Sequence, residues 1–219
     1  MLNTEWRHRR DIVEVCQAMH AKGFLAATDG NVSVRWGDKV LITPTGVSKG
    51  RLKPEDILVT SLTGRATAGA SSELSLHLCA YHARPDVQSV VHGHPPRAIA
   101  FTVAGREIPG LLLPEVVTTL GGEIPTIPYT TPTTEEVPTA LGPVLGCHDV
   151  VMMAWHGAVC LGLNAWDAYY KLEKLEHLCE VALYAEQLGG ARMLTSDQVS
   201  RLRSLSGGGG REMSRYQRS

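Results

Sequence analysis

His92 and His94 close an apolar run, Val90-Val91-His92-Gly93-His94-Pro95, with a single glycine between them. In an extended strand alternate side chains share a face, so the two imidazoles project together while Gly93 points away. Two imidazoles side by side can grip one transition metal, and Pro95-Pro96 ends the strand just beyond them. A metal held by few protein ligands keeps positions open for substrate, which is the arrangement of a catalytic centre. The plainer alternative is a pair of solvated histidines in a loop.

A third histidine, His156, stands where the apolar stretch Met152-Met153-Ala154-Trp155 meets Gly157. A polar ring buried there costs free energy unless it finds a partner, and a metal shared with His92 and His94 would be one. His148 competes for the role from Gly146-Cys147-His148-Asp149, which reads as an exposed turn. His8, His20, His77, His82 and His177 fall on helical stretches and read as structural.

Glu73 opens a helix directly after Ser71-Ser72. It reads either as a carboxylate favouring the helix dipole or as a general base near the metal, and the two are compatible. The second role asks for a pKa raised toward neutrality. Gly30-Asn31, Thr45-Gly46 and Ser71-Ser72 offer amide or hydroxyl donors beside small residues or at a helix start. Such groups hold phosphate without a large positive charge, although ordinary turn and cap chemistry explains each one alone.

Something must position these residues. A chain of 219 residues, 43% hydrophobic and 20% charged, suits one folded domain. The net charge of -1 gives no general attraction to nucleic acid or to an anionic membrane. The apolar run from Val150 to Trp166 is broken by His156, glycines and Asn164, so no membrane span is expected. Five scattered cysteines without a CxxC pair suit a reducing cytoplasm rather than a disulfide framework. Trp6-Arg7-His8-Arg9-Arg10 runs into a mixed helical pattern, and no secretory leader is expected there.

Apolar periodicity predicts helices over residues 4–21, 73–82, 95–103 and 115–120, and one begun by Thr133 or Thr134. It predicts strands over 32–35, 39–43, 56–60, 87–94, 124–129, 150–155 and 158–163. Asn164 caps the longest helix, which Gly189-Gly190 ends, and Thr195 with Gln198 makes a capping box for the last. Residues 1–205 then form one domain, and 206–219, with four consecutive glycines, a flexible tail. Hairpins mixed with helices point to a layered α/β domain and away from a doubly wound Rossmann sheet.

Taken in order, Gly30-Asn31-Val32-Ser33-Val34-Arg35, Leu41-Ile42-Thr43-Pro44-Thr45-Gly46, Ser71-Ser72-Glu73, His92-Gly93-His94-Pro95 and His156-Gly157 resemble the class II aldolase/adducin-head family. The likeness is greatest to its L-fuculose-1-phosphate aldolase branch, and it covers roughly residues 5–188. The resemblance implies a single-domain αβα sandwich with a central, mainly antiparallel sheet. It implies one Zn2+ per subunit on His92, His94 and His156, with Glu73 as acid/base. It also implies a phosphate pocket from Gly30, Asn31, Thr45, Gly46, Ser71 and Ser72. The implied substrate is a phosphorylated ketose, cleaved to dihydroxyacetone phosphate and an aldehyde in a homotetramer with active sites at subunit interfaces.

The sequence departs from the branch in one respect. A tyrosine that serves there as proton donor is missing from Leu112-Leu113-Pro114-Glu115-Val116-Val117. Glu115 falls near that position and is the candidate second acid/base group, with Tyr129 and Tyr216 as alternatives. The related methylthioribulose-1-phosphate dehydratases use a glutamate in a comparable region. L-fuculose, 5-deoxyribulose and methylthioribulose 1-phosphates are thus all candidate substrates. Epimerase, decarboxylase and dehydratase chemistry would use the same metal site, and an adducin-head-like interaction domain is the alternative without catalysis.

Overall fold

The computed structural model describes residues 2–63 and 66–205; the expected tail and Tyr216 lie outside the described residues. Seven strands form one sheet in the order β3-β2-β1-β4-β7-β6-β5. They are β1 (Asn31–Trp36), β2 (Lys39–Ile42), β3 (Leu58–Ser61), β4 (Ser89–Gly93), β5 (Thr126–Ile127), β6 (Val150–Met153) and β7 (Gly157–Gly162). Every pairing is antiparallel except β5 with β6. The helices are α1 (Leu2–Ala21), α2 (Leu74–Ala83), α3 (Pro96–Val103), α4 (Pro114–Leu120), α5 (Glu136–Leu145), α6 (Ala165–Gln187) and α7 (Ser196–Leu205).

Strand alternation divides the core in two. Val32, Val34, Val91 and Cys160 face one way and pack with buried residues of α1, α3, α4 and α6. Val90, Val151, Val159 and Leu161 face the other way and pack with α2 and α5. Burial on both faces accounts for the near-continuous apolar runs of β4, β6 and β7. The result is the expected helix–sheet–helix sandwich.

Several boundaries differ from the periodicity, each for a local reason. Residues 54–56 form a 3-10 turn in which the Asp56 carboxylate accepts from Lys53 N, so β3 starts at Leu58. Pro125 and Pro128 cannot donate to a ladder and trim the expected 124–129 strand to two residues. Thr133 has a positive φ of 65° and Thr134 Oγ1 accepts from Glu136 N, so these threonines form the turn before α5. Ala154, Trp155 and His156 are a turn, with Trp155 at φ 59°, which ends β6 at Met153. The capping expectations are met: Asn164 Oδ1 accepts from Asp167 N, and Thr195 and Gln198 exchange two hydrogen bonds.

Candidate active site

His92 and His94 lie on the α2 side of the sheet because they continue the alternation of Val90. The β4–β7 register sets Gly93 opposite Ala158, so the tight turn before Gly157 delivers His156 to the same spot. The three rings form a near-equilateral triangle, with centroids 4.9, 5.0 and 5.1 Å apart and planes at 62 to 70°. One ligand nitrogen from each lies within 4.8 Å of the others. His148 is not part of this group.

Gly157 is the close contact that makes the triangle possible. A Cβ there would stand 2.5 Å from the Gly93 carbonyl, 2.9 Å from His94 Cδ2 and 3.1 Å from His92 Cε1. Gly30 has a similar constraint at the end of β1. Its φ is +69°, and a Cβ would meet the Leu25 side chain and lie 2.9 Å from the His92 carbonyl.

The donor set fits a metal. His92 Nδ1 lies 3.0 Å from the Ala158 carbonyl, which can only accept, so the proton sits on Nδ1. Its Nε2 lone pair therefore faces inward, 3.0 Å from His94 Nε2. Burial, reinforced by His92 and His156, lowers the His94 pKa to about 3, and burial lowers that of His156 as well. Three imidazole nitrogens gathered within 4.8 Å of one another are a donor set that suits a divalent ion. Glu73 Oε1 is buried without a hydrogen-bond partner among the described residues, as expected of a group that meets a ligand.

Glu73 sits at the N-cap of α2, its oxygens 3.4 Å from both His92 Nε2 and His156 Nε2. Its titration differs from the expected elevation. Burial would raise the pKa, but His92, the Asn31 hydrogen bond and His156 outweigh it and hold the carboxyl at about 2. Glu73 is thus an ionised carboxylate at neutral pH, and the raised value anticipated for a base does not occur.

The residues expected to bind phosphate also come together. Thr43 N and Oγ1 both bond the Val32 backbone, tying the loop that follows β2 to the start of β1. Thr45 N donates to the Gly69 carbonyl and Ser71 N to the Thr43 carbonyl, bringing Thr45-Gly46 beside Ser71-Ser72. Thr45, Gly46 and Ser72 are exposed, whereas the Ser71 hydroxyl accepts from Glu73 N at 3.3 Å. Asn31 is buried and its amide is engaged at both ends, Oδ1 with His77 and Nδ2 with Glu73. The buried Lys49 Nζ binds the Thr28 carbonyl, bracing the segment that precedes Gly30.

A family model, the Class II Aldolase and Adducin N-terminal domain, matches residues 10–183. The chain is 32% identical over 176 residues to the L-fuculose phosphate aldolase of Escherichia coli K12, spanning 80% of this chain and 81% of that one. The chain belongs to this family. It is 28% identical over 201 residues to a 5-deoxy-D-ribulose 1-phosphate aldolase of Bacillus thuringiensis, spanning 90% and 93% of the two chains. Superposition on the L-fuculose-1-phosphate aldolase of Thermus thermophilus gives a TM-score of 0.78 at 32% identity, covering 86% and 99%.

The protein is thus a class II aldolase, a metal-dependent kind of lyase, and the three-histidine cluster is the place where a metal fits. Glu115 stands apart from the cluster. It is exposed in the first turn of α4, a helix packed on α6 and α7, and its carboxylate has no hydrogen bond or ion pair among the described residues. Tyr129 is likewise exposed, its ring 6.2 Å from that of Trp155. His77, read from its helical spacing as structural, is fully buried and bonded to Asn31 and Ser33 beneath the site. The signal available for it was spacing: Glu73, His77 and Tyr81 recur every four residues on α2, opposite Asn31 and Ser33 two apart on β1.

Proposed function

We propose that this class II aldolase is zinc-dependent and cleaves a ketose 1-phosphate reversibly to dihydroxyacetone phosphate and an aldehyde. L-fuculose 1-phosphate and the 5-deoxy- or 5-methylthio-ribulose 1-phosphates are the candidate substrates. The observation that carries this reading is one ionised carboxylate, Glu73, within 3.4 Å of two members of a three-imidazole cluster. A three-imidazole donor set suits Zn2+, which when bound supplies Lewis acidity toward the substrate's carbonyl and hydroxyl oxygens.

The remaining roles belong to the chain. Backbone amides and hydroxyls of Gly30, Asn31, Thr45, Gly46, Ser71 and Ser72 hold the phosphoryl group and fix the register of the sugar. Asn31 contributes through its backbone or its second amide hydrogen, since its side chain already serves Glu73. Glu73 takes a proton from, and returns it to, the hydroxymethyl carbon of dihydroxyacetone phosphate as the C3–C4 bond forms or breaks. A group from a neighbouring subunit serves the aldehyde oxygen, with Glu115 or Tyr129 supplied across the interface of a homotetramer. The exposure of both side chains in one protomer supports that assignment. The five free cysteines support a cytoplasmic, reducing location.

The test is condensation of dihydroxyacetone phosphate with lactaldehyde, acetaldehyde and methylthioacetaldehyde by zinc-loaded protein, with products identified. The reading expects a ketose 1-phosphate from at least one of them. Glu73→Gln should retain zinc and lose about 100-fold or more of turnover. No condensation with any aldehyde would turn the assignment toward epimerase, decarboxylase or dehydratase chemistry, and zinc loss in Glu73→Gln would make Glu73 a ligand.

A further inference from the structure

Beneath the cluster, five side chains form an unbroken hydrogen-bonded row that alternates between α2 and β1. Tyr81 Oη lies 2.7 Å from Ser33 Oγ, and Ser33 Oγ lies 2.7 Å from His77 Nδ1. His77 Nε2 meets Asn31 Oδ1 at 2.5 Å, and Asn31 Nδ2 meets Glu73 Oε2 at 2.8 Å. Tyr81, Ser33 and His77 are at most 1% exposed and Asn31 is 3% exposed. Four polar side chains are thus sealed in a face otherwise packed with Leu74, Leu76, Val90 and Val159.

The direction of each proton follows from the Glu73 end. Asn31 presents its NH2 to Glu73 and its carbonyl to His77. The carbonyl accepts in turn, so His77 carries its proton on Nε2. Burial, with His92 adding to it, keeps this imidazole neutral by lowering its pKa to about 3, so Nδ1 is an acceptor. Ser33 then donates to Nδ1, and Tyr81 donates to Ser33. All four donors point toward the carboxylate, an arrangement in which neighbouring bonds polarise one another.

The row ends on Glu73 Oε2 alone. Oε1 is left buried and unpartnered beside His156. One carboxylate oxygen is therefore clamped and the other lies against the histidine cluster.

We propose that His77, held in one tautomer by the Asn31 carbonyl and braced from behind by Ser33 and Tyr81, is a positioning residue that acts through Asn31 to aim Glu73 Oε1 at the reacting carbon. The inference rests on the reading of Glu73 as the group that moves the substrate proton. It predicts a loss in turnover that grows as the lesion approaches Glu73, with phosphate recognition and metal binding spared.

The test measures exchange of a hydroxymethyl hydrogen of dihydroxyacetone phosphate for deuterium by zinc-loaded enzyme, with the KM for that substrate, the zinc content and the melting temperature. His77→Leu should lower exchange turnover about 10- to 100-fold, with KM and zinc content within about threefold of wild type. His77→Gln places an NH2 near the Nε2 position and should recover most of that loss. Ser33→Ala, which removes the partner of His77 Nδ1, should lose about three- to tenfold, and Tyr81→Phe less. Folded His77→Leu with wild-type exchange, or His77→Gln no better than His77→Leu, overturns the proposal. If His77→Leu does not fold, wild-type turnover in Ser33→Ala overturns it. Glu73→Gln run in parallel separates the two readings. If it still exchanges the hydrogen, the assignment of Glu73 has failed; if it does not, and His77→Leu does, only the positioning role has.

Discussion

Gly157→Ala probes the histidine cluster without replacing any of its members. The added methyl carbon would lie 2.5 Å from the Gly93 carbonyl oxygen, where about 3.4 Å is comfortable, so something must move by about 0.9 Å. It would also press on the His94 and His92 rings at 2.9 and 3.1 Å. Neither side can yield locally, because Gly93 pairs with Ala158 in the sheet and Gly157 is bonded to His156. Metal–ligand distances tolerate only about 0.2 Å, so the displacement exceeds what the site can absorb. Zinc affinity should fall by at least about 10- to 100-fold, comparable to the loss of a group that orients a ligand. Overpacking should cost about 1–3 kcal/mol, or roughly 2–12 °C in melting temperature. Competition with a chromophoric chelator measures the first and differential scanning fluorimetry the second. Gly146→Ala, at φ −57° with its nearest contact at 3.5 Å, is the control and should leave zinc affinity unchanged. Wild-type zinc affinity in folded Gly157→Ala would refute the packing argument.

Acid should destabilise the chelator-treated protein in a defined window. His77 has a folded pKa of about 3 against 6.5 in the unfolded chain, so below pH 6.5 the unfolded state binds the extra proton. Its contribution is whole above about pH 6.5 and is lost as pH falls toward 3, a few kcal/mol in all. Urea midpoints should fall over that window and fall less steeply in His77→Gln; equal slopes would contradict the assignment. Lys171, buried between Asp149 at 3.0 Å and the Leu161 carbonyl at 2.7 Å, should cost about 1–3 kcal/mol when changed to Met, read as a lower urea midpoint, since Asp149 keeps its pair with Arg84. Asn164→Ala removes the cap of α6 and should cost about 1 kcal/mol, or roughly 2–4 °C in melting temperature.

Much of the histidine cluster was legible in the sequence because it is set by the alternation of one strand and the turn before the next. Alternation along β4 puts His92 and His94 on one face whatever the sheet order, and the His156-Gly157 turn needs only a neighbouring strand to reach them. The environment of Glu73 was not legible. The sign of its shift depends on Asn31, His92 and His156, which come from three other segments. The buried row escaped for a related reason: Ser33, His77 and Tyr81 are unremarkable one at a time. Their meaning appears only when the period-two face of β1 meets the period-four face of α2. The parallel β5–β6 pairing was equally hidden, since two residues between prolines carry no pattern of their own.

The central claim, that Glu73 moves a substrate proton beside a metal on His92, His94 and His156, is tested most directly by hydrogen exchange without any aldehyde present. Dihydroxyacetone phosphate in deuterated buffer is followed by NMR with zinc-loaded and chelator-stripped protein. The account predicts deuterium at the hydroxymethyl carbon with the loaded protein and none with the stripped one. Zinc-loaded protein that binds dihydroxyacetone phosphate and leaves that carbon unlabelled would contradict it.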